Sequence, residues 1–406
     1  MTLSCFASGG VGGPDSSSND NSRAEAGGGA GGSGGSGSPP PAPEAGVTDT
    51  GHAPPPADAG SHVDAPAMSA NGGYIVSGAT ILDSTGKPHL FHGVGRPSLE
   101  WSVAGQWGSN NDIPASDFML MATAWKANVV RISLNQDFWL SGAALHNAGY
   151  QATVQQAVTN AEAAGLDVIL DLHWSDCGNL ALTTLHTTEA PDNTGVSGQQ
   201  VMADANSLQF WTEAATVFKT DPHVLFELYN EPNGIAGAEW LNGSGGATDS
   251  FGCKTVGMQQ LYNAVRATGA QNLVIIGGLN YAFDLSVVKV FPVAGSNILY
   301  ATHPYNEGGK DPSTWANAFG YLTATNPVIA TEFGDITSDN CSSTYNSEVL
   351  AYVNKTGSNP PANQMSWTGY GWFVSSSGCT FPDLIANWGG TPTASGAVVQ
   401  TALLAY

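Results

Sequence analysis

The chain has 406 residues and a formal net charge of -22, with only 11 lysines and arginines in total. Nucleic acids and anionic membranes are bound through basic patches that release counterions, so this balance argues against both and favours an uncharged partner. The sequence holds no apolar run of the roughly 18 residues that a spanning helix needs, so we expect no membrane span.

The composition changes near residue 70. Residues 7–70 consist mainly of Gly, Ser, Pro and Ala and have almost no large apolar side chain, so this segment cannot bury enough surface to offset its ordering entropy. We predict a disordered low-complexity tail or linker over 1–70 and one folded domain over 71–406. The folded part is long enough for an eight-stranded α/β barrel, which needs about 250 residues.

Alternating strands and helices are predicted through the folded part. Residues 74–88 form a predicted hairpin that turns at Ser84-Thr85-Gly86. Short apolar runs rich in branched residues follow, with helical patterns between several of them. The eight predicted strands are 89–95, 128–133, 166–174, 224–232, 272–278, 297–305, 327–335 and 365–373.

The clearest helical patterns cover 114–128, 150–165, 205–220 and 256–269, with Asp or Ser near starts and Gly at ends, as capping requires. Strands that alternate with helices and have no polar face indicate a parallel α/β sheet covered on both faces. The count of eight favours a closed TIM (β/α)8 barrel over a doubly wound sheet.

The positions of the cysteines help to predict the cellular compartment of the protein. Cys5 lies in the tail, and the other four show no close CxxC spacing of the kind found in zinc sites. Adjacency of barrel loops favours the pairs Cys177–Cys253 and Cys341–Cys379, with four separate buried thiols as the alternative. Disulfides indicate an oxidising compartment. With the tail as a tether, the predicted location is secreted, extracellular or tethered to the cell surface.

Polar side chains concentrate at the carboxyl ends of the predicted strands, where a barrel builds its active site. Glu231 ends the fourth strand and Glu332 ends the seventh, so the two carboxyl groups face each other across the predicted mouth. Cleavage of a glycosidic bond needs one carboxylic acid to protonate the leaving oxygen and one carboxylate on the opposite face. The sequence therefore predicts glycoside hydrolysis.

Three motifs carry a family resemblance. LYNEP at 228–232, HPY at 303–305 and IATEFG at 329–334 resemble glycoside hydrolase family 5, the cellulase-like enzymes, and the resemblance extends over about 72–406. It implies a retaining double displacement without cofactor or metal. Glu332 would attack the anomeric carbon, and Glu231, with a raised pKa, would be the acid/base.

The resemblance also implies supporting roles. Asn230 would bind the sugar 2-hydroxyl, Arg131 would lie beside the nucleophile, and Tyr305 would orient the nucleophile carboxylate. His173 and His303, after the third and sixth strands, match further family positions.

An aromatic side chain on the last strand would form a sugar platform. Trp372 and Tyr370 both fit the spacing, and we expect Trp372 to have this role. The chain departs from many family members at Gly95, where they have Asn after the first strand. Trp101, Trp139 and Trp174 fit sugar stacking and core packing equally well.

Structural alternatives remain at several positions. Arg131 could be the buried partner of Glu227, because a charge within an apolar strand is costly unless it is paired. His173 and His303 could be satisfied core histidines, or the metal ligands of a different barrel hydrolase.

The predicted function is endo-acting hydrolysis of a β-linked polysaccharide, foremost β-1,4-glucan, by a monomer whose partner is the polysaccharide or oligosaccharide itself. Mannan, mixed-linkage glucan, xyloglucan and glycolipid are alternatives, since the fold and the catalytic pair do not specify the sugar. A non-catalytic carbohydrate-binding barrel is the alternative from another class.

Overall fold

The structure is a computed structural model that describes residues 72–105, 112–185, 198–248, 252–336, 342–375 and 382–406. The predicted tail over 1–70 lies outside the described residues. The folded domain predicted from residue 71 is described from residue 72 onwards.

A small antiparallel sheet opens the described chain. Its strands are β1 (Ile75–Ser77), β2 (Thr80–Leu82) and β3 (Pro88–His89), paired in that order. The predicted turn at Ser84-Thr85-Gly86 joins β2 to β3. The prediction missed one strand of this sheet. A second, tighter turn at Gly78, whose φ of 60° suits glycine, joins β1 to β2.

Eight parallel strands in the described residues close into a barrel, in which each strand lies beside its neighbours in the chain and the last lies beside the first. All eight predicted strands are present, and the TIM-barrel prediction is confirmed. The barrel strands are β4 (His92–Arg96), β5 (Val129–Asn135), β6 (Asp167–Trp174), β7 (Val224–Glu227), β8 (Val274–Gly277), β9 (Ile298–Thr302), β10 (Val328–Ala330) and β11 (Ser366–Gly369).

Helices cover the outside of the barrel, and the four predicted helices correspond to α1, α3, α4 and α6. None of the described helices has the length and apolar character needed to cross a membrane. The helices are α1 (Ala115–Thr123), α2 (Gln136–Trp139), α3 (Tyr150–Ala163), α4 (Ala205–Phe218), α5 (Gly237–Asn242), α6 (Met258–Ala267), α7 (Trp315–Ala318), α8 (Thr344–Val353) and α9 (Ala394–Leu403), with 3-10 helices at Leu285–Lys289 and Gly320–Ala324.

Strand alternation decides which side chains enter the barrel. On β5, Val129 belongs to the apolar cluster that has members on most barrel strands, whereas Val130 belongs to the cluster shared with the helices. Because successive strand side chains point to opposite faces, Arg131 points inward with Val129. The same alternation turns Glu227 inward with Leu225. The barrel interior is thus apolar at its base and charged towards its mouth.

Two buried aspartates meet where α4 begins. Asp204 caps the helix by accepting from the backbone N–H groups of Asn206 and Ser207, at 2.8 and 3.2 Å, and from that of Asp176 at 3.1 Å. Burial, with the added charge of Asp176, raises the pKa of Asp204 to about 7. Burial and neighbouring Asp137 raise the pKa of Asp176 to about 7 as well. These carboxyl groups are therefore protonated in the fold at mildly acidic pH.

We expect these carboxyl groups to make the free energy of unfolding fall as the pH rises from about 4 to about 7. In that window the folded chain retains protons that the unfolded chain, with carboxyl pKa values near about 4, has already released, so stability is lost as the pH rises. Asp204→Asn keeps a capping oxygen but removes one titrating group. Denaturant titrations at several pH values should show a shallower pH dependence for this variant, and parallel curves would contradict the assignment.

A disulfide joins two loops of the barrel. Cys177 follows β6, Cys253 precedes α6, and their Cα atoms are 5.1 Å apart. One of the two predicted pairs is thereby confirmed, whereas the Cys341–Cys379 pair lies outside the described residues. The bond links positions separated by 76 residues, so it restricts the unfolded chain considerably.

Replacing Cys177 and Cys253 together by serine should lower the free energy of unfolding by about 2–4 kcal/mol, because the unfolded chain regains freedom. Guanidinium denaturation measures the change. Reductant should destabilise the wild type, and any reductant effect that persists in the double variant would report the predicted Cys341–Cys379 bond. An unchanged unfolding midpoint in the double variant would refute the stabilising role.

Candidate active site

Glu231 and Glu332 come together at the mouth of the barrel, where Glu231 follows β7 and Glu332 follows β10. Each side chain is buried, and His303, which follows β9, lies between them. Its Nδ1 atom is 2.8 Å from Glu231 Oε1 and 3.9 Å from Glu332 Oε2. A carboxylate oxygen from each glutamate and a His303 ring nitrogen all lie within 4.8 Å of one another.

Arg131 is fully buried beneath this pair and binds several acidic groups at once. Its Nε lies 2.5 Å from Glu227 Oε2, its Nη1 2.5 Å from Glu332 Oε1, and its Nη2 3.0 Å from Asp171 Oδ2. Nη2 also donates to Asn230 Oδ1 at 2.7 Å. The predicted pairing of Arg131 with Glu227 is confirmed, and the same guanidinium lies beside Glu332.

The charge on Glu227 is stabilised despite its burial. Burial raises the pKa of a carboxyl group, but the charges of Arg131 and of nearby His303 outweigh it and lower the pKa of Glu227 to about 2. Glu227 is therefore ionised throughout the usual pH range and serves as a fixed counter-charge below the mouth.

His173 orients the Asn230 side chain. Its Nδ1 is 2.6 Å from Asp171 Oδ2, and its Nε2 is 3.3 Å from Asn230 Nδ2. An amide nitrogen only donates, so Nε2 accepts and Nδ1 carries the proton. Burial lowers the pKa of His173, which agrees with this neutral form. His173 is thus satisfied on both ring nitrogens by protein groups.

His303 has the opposite charge state. The Thr331 hydroxyl donates to Glu227 Oε1 at 2.7 Å, so it accepts from His303 Nε2 at 2.9 Å, and Nδ1 faces Glu231. Burial disfavours the imidazolium, but the charge of Glu332 and the contacts with Glu227 and Glu231 outweigh it. Together they raise the pKa of His303 to about 9.

The expected raised pKa at Glu231 is wrong for this structure. Burial raises it, but the hydrogen bond and charge of His303 outweigh burial, with smaller contributions from Lys310 and Gln199, and the pKa of Glu231 is lowered. Near neutral pH, the proton between Glu231 and His303 therefore rests on the histidine.

Tyr305 completes the environment of Glu332. Its hydroxyl donates to Glu332 Oε2 at 2.7 Å, while Arg131 holds Oε1, so each carboxylate oxygen has its own donor. The Tyr305 ring belongs to an aromatic cluster with Tyr370 and Phe373. This cluster forms one side of the mouth.

The structure does not place Trp372 at the mouth. Trp372 is fully buried, and its ring centroid lies 5.1 Å from that of Trp125, which follows α1. The reason is that β11 ends at Gly369, so strand spacing no longer decides where residue 372 points. The alternative, Tyr370, clusters with Tyr305 instead. Gly95 makes room for it, because a Cβ atom there would lie 2.9 Å from the Tyr370 ring.

The other tryptophans divide between core and mouth. Trp139 is fully buried and packs against Phe210, 5.5 Å between ring centroids, so it belongs to the core. Trp174 lies 5.9 Å from Trp101 and 6.5 Å from the His173 ring, near the polar site.

Sequence reasoning missed three contributors to this site. Asp171 could have been found from the sequence. It points to the same side of its strand as His173 within an apolar run, and a buried charge there needs a partner. Gln199, whose side-chain amide donates to Glu231 Oε2, and Lys310, which is buried near Glu231, lie in loops without periodicity. Only tertiary structure brings these two side chains to the site.

Glu231, His303 and Glu332 form a group that could hold a cation by distance alone. In this group, however, both ring nitrogens of His303 already have hydrogen-bond partners in the protein. The sequence suggested His173 and His303 as an alternative pair of metal ligands, and His173 is not a member of this group. The expected absence of a metal stays a prediction.

A family model described as Cellulase (glycosyl hydrolase family 5) matches residues 82–374. The chain belongs to glycosyl hydrolase family 5. It is therefore a glycoside hydrolase, as the three motifs predicted.

Curated relatives include an endoglucanase of Paenibacillus polymyxa, 22% identical over 67% of this chain and 74% of the relative. An endoglucanase of Clostridium saccharobutylicum is 22% identical over 76% of this chain and 58% of the relative. Endoglucanase E-5 of Thermobifida fusca is 24% identical over 64% and 47%, respectively. The chain thus matches less than two thirds of the length of the second and third relatives.

Solved structures agree on the fold. A β-glucanase from Saccharophagus degradans in complex with cellotetraose has a TM-score of 0.63 at 23% identity, covering 86% of this chain and 97% of that one. The catalytic domain of an endoglucanase from Thermobifida fusca has a TM-score of 0.57 at 20% identity, covering 82% and 98%. At these identities, the similarity establishes the shared barrel fold.

Arg131→Met should reduce the free energy of unfolding by about 3–5 kcal/mol, because it leaves the acidic groups around it buried without their cation. Arg266→Met is the matched control, since Arg266 lies on α6 and contacts Tyr262 and backbone carbonyls near the surface. Denaturant unfolding should show a loss of at most about 1 kcal/mol for this control. Similar losses in the two variants would contradict the central role of Arg131.

Proposed function

We propose that this family 5 enzyme is a retaining endo-β-1,4-glucanase, with Glu332 as nucleophile and Glu231 as acid/base. The observation that carries the proposal is the buried pair itself, whose carboxylate oxygens lie within 4.8 Å of each other. Retaining enzymes hold their two carboxyl groups about 5–5.5 Å apart, whereas inverting enzymes need about 6.5–9.5 Å to admit a water molecule. The short separation supports double displacement.

Glu332 is prepared for attack by its two donors. Arg131 binds Oε1 and Tyr305 binds Oε2, so the carboxyl group is fixed in orientation. Attack on the anomeric carbon would form a glycosyl-enzyme ester. Arg131 and Tyr305 would still contact the two oxygens of that ester. A pre-oriented nucleophile lowers the entropic part of the barrier.

Glu231 and His303 act together as the acid. The leaving oxygen needs a proton from Glu231, and the proton of the pair rests on His303 Nδ1, 2.8 Å from Glu231 Oε1. As negative charge develops on the leaving oxygen, a proton on Glu231 becomes favourable, and His303 can supply it. In the second step Glu231, again a carboxylate, removes a proton from the attacking water.

Asn230 supports the sugar ring. Its Oδ1 accepts from Arg131 and its Nδ2 donates to His173, which fixes the amide and leaves a second N–H for the substrate. That N–H would donate to the 2-hydroxyl, a contact that strengthens in the transition state. Tyr370, rather than Trp372, is the aromatic side chain placed to contact the sugar at the mouth.

The substrate assignment rests on the relatives. Three curated relatives are endoglucanases, and one similar structure was solved with cellotetraose. A β-1,4-glucan is therefore the proposed substrate, with mannan, mixed-linkage glucan, xyloglucan and glycolipid as alternatives. A solely carbohydrate-binding barrel is disfavoured, because both glutamates are present and paired.

The disulfide and the composition of residues 1–70 support a location outside the cell, either secreted or tethered at its surface. We also propose that the enzyme acts as a monomer.

Reducing-sugar release from soluble cellulose, mannan, xylan and mixed-linkage glucan, measured with and without chelator, tests the proposal. We expect activity on cellulose to fall at least about 100-fold in Glu231→Ala and in Glu332→Ala, because each removes one of the two required carboxyl groups. Glu348→Ala, an exposed position on α8, is the matched control and should retain full activity.

Azide distinguishes the two roles. On an aryl β-cellobioside whose leaving group departs without a proton, azide should rescue both inactive variants, giving the β-glycosyl azide with Glu231→Ala and the α-glycosyl azide with Glu332→Ala, as double displacement requires. Activity that survives both substitutions would refute the site. Loss of wild-type activity with chelator would favour a metal enzyme, and wild-type inactivity on every polysaccharide would favour the binding-only alternative.

A further inference from the structure

A buried segment with neither helix nor strand, residues 198–204, contacts the acid/base Glu231. Irregular segments normally run along the surface, where water satisfies their backbone groups, but every residue of this one is buried. Gln199 belongs to the segment, and its side-chain amide donates to Glu231 Oε2. Because buried backbone groups need partners in the protein, those partners determine where Gln199 lies.

Two neighbouring loops hold the segment from opposite sides. On one side, the backbone N–H and carbonyl groups of Gly198 exchange hydrogen bonds with those of Ser175, at 3.1 and 3.0 Å. On the other side, the Val256 N–H donates to the Ala203 carbonyl at 2.9 Å. The segment therefore links the loop after β6 to the loop before α6, with Gln199 directly beside the first attachment.

The Cys177–Cys253 disulfide joins the same two loops covalently. Cys177 lies two residues after Ser175, and Cys253 lies three residues before Val256. We call the disulfide together with residues 198–204 the clamp. Because the bond fixes the separation of the two loops, the segment attached to both of them keeps one position.

The middle of the segment is also fixed to the chain on both sides of the acid/base. The Tyr229 hydroxyl donates to the Gln200 carbonyl at 2.7 Å, and the Asn233 N–H donates to the Val201 carbonyl at 3.0 Å. Tyr229 and Asn233 lie two residues before and two residues after Glu231. The clamp is therefore held relative to the residue that its side-chain amide contacts.

The contact with Gln199 makes the two oxygens of Glu231 unequal. Oε1 faces His303 Nδ1 at 2.8 Å, whereas Oε2 accepts from the Gln199 amide. An amide nitrogen only donates, so a proton on that side of Oε2 would meet the amide hydrogen. The proton that leaves His303 Nδ1 therefore binds Oε1. From there it passes to the leaving oxygen, which keeps the electron pair of its broken bond to the anomeric carbon.

We propose that Gln199 is a positioning residue for Glu231, and that the clamp holds it so that Oε1 carries the acid proton. This inference rests on the proposed function, because it takes Glu231 as the residue that protonates the leaving oxygen. Beyond the effects of burial and of His303, the hydrogen bond from Gln199 lowers the pKa of Glu231, which agrees with a donor at its carboxylate. The disulfide then serves the reaction as well as stability.

Two aryl β-cellobiosides separate acid assistance from the rest of the reaction. A phenol leaving group needs a proton, whereas a dinitrophenol departs without one. We expect Gln199→Met, which keeps the side-chain length but removes the amide, to lower kcat/KM at least about tenfold for the phenyl substrate and less than about twofold for the dinitrophenyl substrate. Gln155→Met is the matched control and should change neither value, since Gln155 is exposed on α3 and contacts only its own helix.

The disulfide is tested in combination with Gln199. Replacing Cys177 and Cys253 by serine should cause the same selective loss on the phenyl substrate, and adding Gln199→Met should lower it little further, because both changes act on one contact. A smaller folded fraction would instead lower both substrates equally. Wild-type enzyme treated with a thiol reductant gives the same comparison without a substitution.

Each part of the inference has its own contrary result. Equal losses on the two substrates in Gln199→Met, or no loss on either, would overturn the positioning role, while wild-type activity upheld the proposed function. An unchanged ratio of the two kcat/KM values in both the serine variant and the reduced wild type would overturn the role of the disulfide. Wild-type inactivity on both substrates would overturn the proposed function and this inference with it.

Discussion

The charge balance around Arg131 is the constraint on which the barrel mouth depends. One guanidinium binds Glu227, Asp171, Glu332 and Asn230, and it is fully buried. Its planar, fork-shaped donors can serve several acceptors in fixed directions, which a lysine could not do. Because Arg131 comes from β5 and its partners come from other strands, the ion network also fixes how these strands are placed relative to one another.

The second cation, His303, gives the two glutamates different surroundings. It shares a proton with Glu231, while Glu332 has its own donors in Arg131 and Tyr305. Two carboxylates this close would otherwise repel each other, so one of them would hold a proton. Nothing would then decide which of the two it is. The environment thus gives Glu231 a histidine partner and gives Glu332 two separate donors, a difference that the two glutamates alone do not specify.

Much of the architecture could be predicted from apolar runs, since buried parallel strands and capped helices leave local signals. The pairing of Arg131 with Glu227 followed from strand parity and the cost of a buried charge. Predictions failed where the position or charge state of a residue depends on contacts with parts of the chain that are distant in the sequence. Trp372 lies beyond the last residue of its strand, Lys310 reaches the site through a loop, and the lowered pKa of Glu231 depends on a histidine from another strand.

The contact between Gly95 and Tyr370 limits which side chains the two positions can carry. The two residues lie at the seam where β4 meets β11, and there is no room for a Cβ atom at position 95 while the Tyr370 ring occupies its place. Any larger residue at 95 requires the aromatic ring to move or be replaced. The two positions are therefore coupled, and the contour of the mouth across this seam can be changed only by substituting both residues together.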